Sequence, residues 1–161
     1  MEFADLAAPS IRYRWNQSQL RAFRVFGCSR AGGSLSGLKP RVLIVEDEPF
    51  IAMMLEEHLL DAGCEVAGTA PNLEKGLALA GSTEMDLAIL DMILGSQPSF
   101  PVADILAARG IPFMFASGFG SNSLPEEHRG QLVLNKPFHY PDLVKSLKLA
   151  LGSRFTLEPS V

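Results

Sequence analysis

Apolar residues recur along this chain in two rhythms, and the alternation between them begins abruptly at Arg41. "RVLIV" (41–45) is a continuous β-branched and aliphatic run, the pattern of a strand buried on both faces. Pro49 suits the first turn of a helix, and "FIAMMLEEHLLDAG" then sets Ile51, Met54, Leu55 and Leu59 on one stripe until Gly63 ends it. "CEVAGTA" reads as a second strand and "NLEKGLALA" as a second helix capped by Asn72. "DLAILD" is a third buried strand, "PVADILAARG" a third helix closed by Gly110, and "IPFMFA" a fourth strand. "QLVLN" and the amphipathic "YPDLVKSLKLAL" supply a fifth strand and a last helix.

Strand–helix alternation predicts a parallel sheet covered on both faces, because parallel neighbours need crossover connections. The pattern breaks once. "SGFGSNSLPEEHRG", between the fourth and fifth strands, is too rich in Gly, Ser, Asn and Pro for more than about one helical turn. A loop with a short or frayed helix is expected there. Pro98 and Pro101 are expected only to shape the loop before the third helix.

Upstream of Arg41 no periodicity is sustained, and "SRAGGSLSGLK" has the composition of a linker. Residues 1–40 carry six bases against two acids, whereas 41–161 carry eight against sixteen, so the net charge of −4 conceals two unlike parts. The leader is expected to be disordered or non-native, although "IRYRWNQSQLRAFRVF" has the makings of a short basic amphipathic helix. The divisions are therefore a leader (1–40), one domain (41–152) and a short tail (153–161). The acidic body argues against nucleic acid as its ligand, and no apolar run is long enough to span a bilayer. Cys28 and Cys64 lack metal-type spacing, and Cys64 reads as a reduced core thiol in a cytoplasmic setting.

Chemistry concentrates at the strand ends. In an open parallel sheet ligands collect beyond the carboxyl ends of the strands. Here the first strand ends in Glu46-Asp47, the third in Asp91, the fourth in Ser117 and the fifth in Asn135-Lys136. Three converging carboxylates raise one another's proton affinity unless a cation neutralises them, and oxygen donors with room for water suit Mg²⁺. A lysine and a hydroxyl opposite complete a cradle for a phosphoryl group, with an aspartate as nucleophile. Taken singly, each feature has a plainer reading: a solvated strand end, a surface lysine, a turn serine. Glu48 reads as a helix N-terminal charge. The methionines read as core or loop filler, and His58, His128 and His139 as surface or boundary residues.

Residues 41 to about 151 resemble the receiver domain of two-component response regulators. The matching motifs are the acids of "VEDEP", the aspartate closing "LAILD", the hydroxyl of "FASG", and "KPF" after the last strand. The resemblance implies a flavodoxin-like, doubly wound five-stranded parallel α/β sheet in the order 2-1-3-4-5, with a short or frayed fourth helix. It makes Asp91 the phosphoacceptor and Asp47 a direct Mg²⁺ ligand, with Glu46 a ligand through water. The backbone carbonyl of Ile93 is a further ligand, Ser117 and Lys136 contact the phosphoryl oxygens, and the Lys136–Pro137 bond is cis. The implied partners are a sensor histidine kinase and an unknown downstream protein, with no nucleic acid and no membrane.

This chain departs from the common pattern in places. "DMILGSQPSFPVAD" lacks the usual Met-Pro pair and Asp-Gly turn after the acceptor, and Val133 stands where a switching aromatic is usual. "PVADILAARGIPFMFASGFG" resembles the FAT GUY subgroup, single-domain partners of alphaproteobacterial kinases, with Ser117 in place of threonine and Phe119 as its aromatic. Two other readings compete: a phosphorylation-independent adaptor on the same fold, and an aspartyl-phosphate hydrolase. The second needs an acid two residues past the nucleophile, where this chain has Ile93.

Overall fold

A two-residue period divides the core. On each central strand, alternate side chains enter opposite clusters: Val42, Ile44, Leu87, Ile89 and Met114 on one side, Leu43, Val45, Leu90, Phe113 and Phe115 on the other. The structure is a computed structural model that describes residues 39–152. Its elements run β1 (Arg41–Val45), α1 (Pro49–Asp61), β2 (Glu65–Ala70), α2 (Leu73–Ser82), β3 (Leu87–Asp91), β4 (Ile93–Leu94), β5 (Gln97–Pro98), α3 (Phe100–Ala108), β6 (Phe113–Ser117), β7 (Leu132–Asn135) and α4 (Tyr140–Leu151). Five strands form one sheet in the order β2-β1-β3-β6-β7, every pair parallel. Counting only these strands, this is the 2-1-3-4-5 order, with α1 and α4 over one face and α2 and α3 over the other.

Local signals account for the boundaries. Asn72 accepts a hydrogen bond from the Lys75 backbone at 2.9 Å and caps α2. Glycines at positive φ follow the ends of α1 and α3, Gly63 at 81° and Gly110 at 68°. Arg109, just past α3, donates from its two terminal guanidinium nitrogens to the carbonyls of Ala80 and Thr83, tying α3 to the carboxyl end of α2. Arg109→Met is expected to lower stability by about 2 kcal/mol in urea unfolding, since charged donors to otherwise open carbonyls are lost; an unchanged midpoint would contradict this.

Three expectations need correction. The segment after Asp91 is an antiparallel hairpin rather than a loop, with Ile93 opposite Pro98 and Leu94 opposite Gln97. Pro98 thus sits in a two-residue edge strand, where its missing N–H costs little, and Pro101 lies in the first turn of α3. His128 is no boundary residue. It is 6% exposed, stacked on Phe100, edge-on to Phe113 and Phe115, and 3.4 Å from Asp104 Oδ1. The segment between β6 and β7 holds two 3₁₀ turns, Ser121–Ser123 and Glu126–His128, in place of a regular helix. Met53 also differs from expectation: it is exposed on α1, whereas Met92 and Met114 are core.

Cys64 is buried and free, and burial, with the charge of Asp86 behind it, pushes its thiol up to about 11. The peptide containing it is expected to resist alkylation until urea unfolds the chain, which mass mapping reads directly; rapid labelling of the folded chain would contradict the burial. The Pro40 carbonyl already accepts from the Glu65 backbone at 2.7 Å. The expected leader, up to residue 38, and the tail over 153–161 lie outside the described residues.

Candidate functional site

Parallel register brings the strand ends to one edge. Backbone bonds continue just past the strands: Glu46 donates to Ala70 at 3.0 Å, Met92 to Ala116 at 3.0 Å, and Lys136 to Ser117 at 2.9 Å. Residues far apart in sequence are thereby held side by side. Oxygens of Glu46, Asp47 and Asp91 lie within 4.8 Å of one another.

Lys136 crosses into this cluster. Its Nζ donates to Glu46 Oε2 at 2.7 Å and to Asp91 Oδ2 at 3.0 Å. Other oxygens of the cluster accept backbone N–H groups. Glu46 Oε1 accepts from the Glu48 backbone at 3.2 Å, Asp91 Oδ1 from Ile93 at 3.3 Å, and Asp47 Oδ2 from Gly95 at 2.8 Å. Glu46 is 1% exposed. Burial raises its carboxyl from 4.5 to about 7 and the Asp91 charge adds to this, although the Lys136 hydrogen bond acts in the opposite sense. Burial alone would lower the Lys136 ammonium; its contacts with Glu46 and Asp91 outweigh that and raise it. A buried acid that resists ionising, beside two further carboxylates, fits a site for an oxygen-ligated divalent cation.

Ser117 is buried at the adjacent strand end, and its Oγ accepts from the Phe119 backbone at 3.0 Å. Phe119 itself is 80% exposed. Val133 is half-buried opposite Phe115. The Lys136–Pro137 bond is cis. Of the residues expected at the site, Lys136 contacts Glu46 and Asp91 directly, Asp47 lies within 4.8 Å of both acids, Ile93 adjoins through its N–H, and Ser117 borders them. Sequence reasoning missed Gly95. Its only signal was a Gly-Ser pair between two-residue apolar and Gln-Pro segments, the composition of a tight hairpin turn.

A five-stranded parallel sheet with paired acids, an aspartate and a lysine converging on its carboxyl edge defines a doubly wound α/β domain with an acidic site at the ends of its strands. A family model for the response regulator receiver domain matches residues 42–148, and the chain belongs to that family. Transcriptional regulatory protein PdtaR of Mycobacterium tuberculosis is 34% identical over 119 residues, which cover 71% of this chain and 58% of that protein. SdrG of Sphingomonas melonis Fr1, known as a solution structure, is 44% identical with a TM-score of 0.62, the match covering 70% of this chain and 96% of that one. A BeF3-activated conformation of SdrG from Pseudomonas melonis Fr1 matches at 42% identity and a TM-score of 0.61, over 69% of this chain and 95% of that one. The chain spans about half the length of the curated relatives it matches.

Proposed function

We propose that this chain acts as a response regulator that accepts a phosphoryl group on Asp91 from a sensor histidine kinase and signals by protein–protein contact or relay. The observation that carries the reading is the Lys136 ammonium bridging Glu46 and Asp91, with Asp47 closing the cluster. Asp47, Glu46, Asp91 and the Ile93 carbonyl would hold Mg²⁺, which supplies positive charge against the phosphoryl oxygens. Asp91 forms the new O–P bond as the P–N bond to the donor imidazole breaks, and the electron pair leaves on that nitrogen, which takes up a proton. Lys136 turns from its carboxylates to the incoming oxygens, where fixed positive charge counts most. Ser117 then gives up the Phe119 N–H and donates its hydroxyl to the phosphoryl group, so the Phe119 loop moves with it.

The relative solved in a BeF3-activated conformation supports an activatable domain of this kind. The abbreviated element between β6 and β7, two 3₁₀ turns in place of a helix, supports the FAT GUY assignment. No helix among the described residues is long and apolar enough to cross a membrane, and a cytoplasmic setting is part of the reading. Acetyl phosphate with Mg²⁺ is expected to add one phosphoryl group to the intact chain by mass spectrometry, and Asp91→Asn or chelation of the metal should abolish the gain. Labelling that persists in Asp91→Asn would reject the assignment, and no labelling of the unmodified chain would favour a phosphorylation-independent adaptor.

A further inference from the structure

The hairpin after the acceptor reaches the acids twice through its backbone, at Ile93, which meets Asp91, and at its turn. Lys136 serves Glu46 and Asp91; the third carboxylate, Asp47, is met instead by the Gly95 N–H at 2.8 Å, across 48 positions of sequence. Gly95 and Ser96 form the two-residue turn between Leu94 and Gln97. Gly95 has φ +62°, and among the described residues no non-glycine has positive φ, so the turn is of the type with glycine at its first central position. In that turn the first central N–H makes no bond within the hairpin and points outward. The hairpin itself is held firmly. Met92 and Leu94 are buried in the core, and buried Ser99 donates both its N–H, at 3.0 Å, and its hydroxyl, at 3.4 Å, to the Met92 carbonyl at the hairpin's base.

We infer that Gly95 is a positioning residue for the divalent cation: its rigid turn fixes Asp47 by one oxygen and so presets the cluster for a metal that demands strict geometry. This rests on the reading of the acids as a Mg²⁺ site. The shape of the turn, not the identity of a side chain, is what matters. Asn tolerates positive φ and Val does not. A Cβ at Gly95 meets nothing within 4 Å, so either substitution acts through the backbone rather than by a clash.

The test is Mg²⁺ affinity by calorimetry on the full chain, with amide exchange as a readout that needs no metal. Gly95→Val is expected to weaken Mg²⁺ binding about tenfold, and Gly95→Asn to stay within about twofold of the unmodified chain. Without metal, the Gly95 amide should exchange about tenfold or more faster in Asp47→Ala than in the unmodified chain, its carboxylate acceptor being gone. Unchanged affinity in Gly95→Val, or equal loss in Gly95→Asn, overturns the inference while leaving the metal site intact. Mg²⁺ failing to bind the unmodified chain overturns the site reading as well. Should Gly95→Val fail to fold, the exchange experiment decides, and equal rates in the two chains reject the positioning role.

Discussion

Lys136→Met is expected to cost the metal-free chain about 3 kcal/mol of stability above neutral pH, because removing one partner strands a buried charge. It should also slow phosphoryl uptake by roughly 100-fold or more, the usual scale for losing one charge-stabilising donor. Methionine keeps most of the length of the side chain and loses the ammonium, so packing is spared and charge is what changes. The Glu46 carboxyl, 1% exposed, is raised to about 7 even with Lys136 in contact. A carboxyl raised in the folded state favours the protonated form there. Stability on its account is therefore fully present below the ordinary value of 4.5 and is lost as pH rises through about 7. Without Lys136 that loss moves upward and deepens, so the variant should be nearest the unmodified chain in mild acid and furthest in mild base. Added Mg²⁺ should narrow the gap by supplying the missing charge. Urea unfolding at about pH 6 and about pH 8, with and without Mg²⁺, reads all of this. A difference that ignores both pH and metal would show that Lys136 is not the counter-charge of the cluster.

Phe115→Ala is the second large effect, a loss of about 4 kcal/mol from a cavity in the core. Phe115 is fully buried on β6 and meets Phe100, Phe113 and His128 edge-on, at centroid distances of 5.7, 5.6 and 5.6 Å. Three parts of the chain thus share one aromatic cluster: β6, the start of α3 and the second 3₁₀ turn. The same cluster seats His128, and Leu124 is also buried in the core on this face, so truncating Phe115 should loosen the segment that carries Phe119 as well as the core. Urea unfolding should show the lost stability, and amide exchange should show faster opening across 118–131 than across α1. Equal protection of that segment in both proteins would contradict its being pinned through the aromatic cluster.

These two residues also mark what sequence could and could not reveal. Lys136 was legible because the site is a consequence of topology. Once "RVLIV", "DLAILD", "IPFMFA" and "QLVLN" read as parallel strands, whatever follows each must share one edge. The helices were legible to within about two residues, because Asn72, Gly63 and Gly110 state their boundaries chemically. The hairpin was not. Two residues per strand show no period, and Pro98 argues against a strand wherever the chain is read without its neighbours. His128 escaped for a different reason. Its surroundings in sequence, "PEEHRG", are those of a solvated turn, and its burial is created by Phe100, Phe113 and Phe115, which reach it only in three dimensions. The contact between Gly95 and Asp47 is of the same kind, because backbone donors leave no mark in a pattern of side chains.

The proposition underlying all of this is that Glu46, Asp47 and Asp91 act as one cation-binding unit with an oxygen of Asp91 kept for phosphorus. Titrating Mg²⁺ into the isotopically labelled chain and following backbone amides by NMR addresses it most directly. The expected result is a saturable shift of the amides of residues 46–48, 91–95 and 136 with a common midpoint, abolished together in Asp47→Ala. Shifts that are absent, that never saturate, or that survive in Asp47→Ala would contradict it.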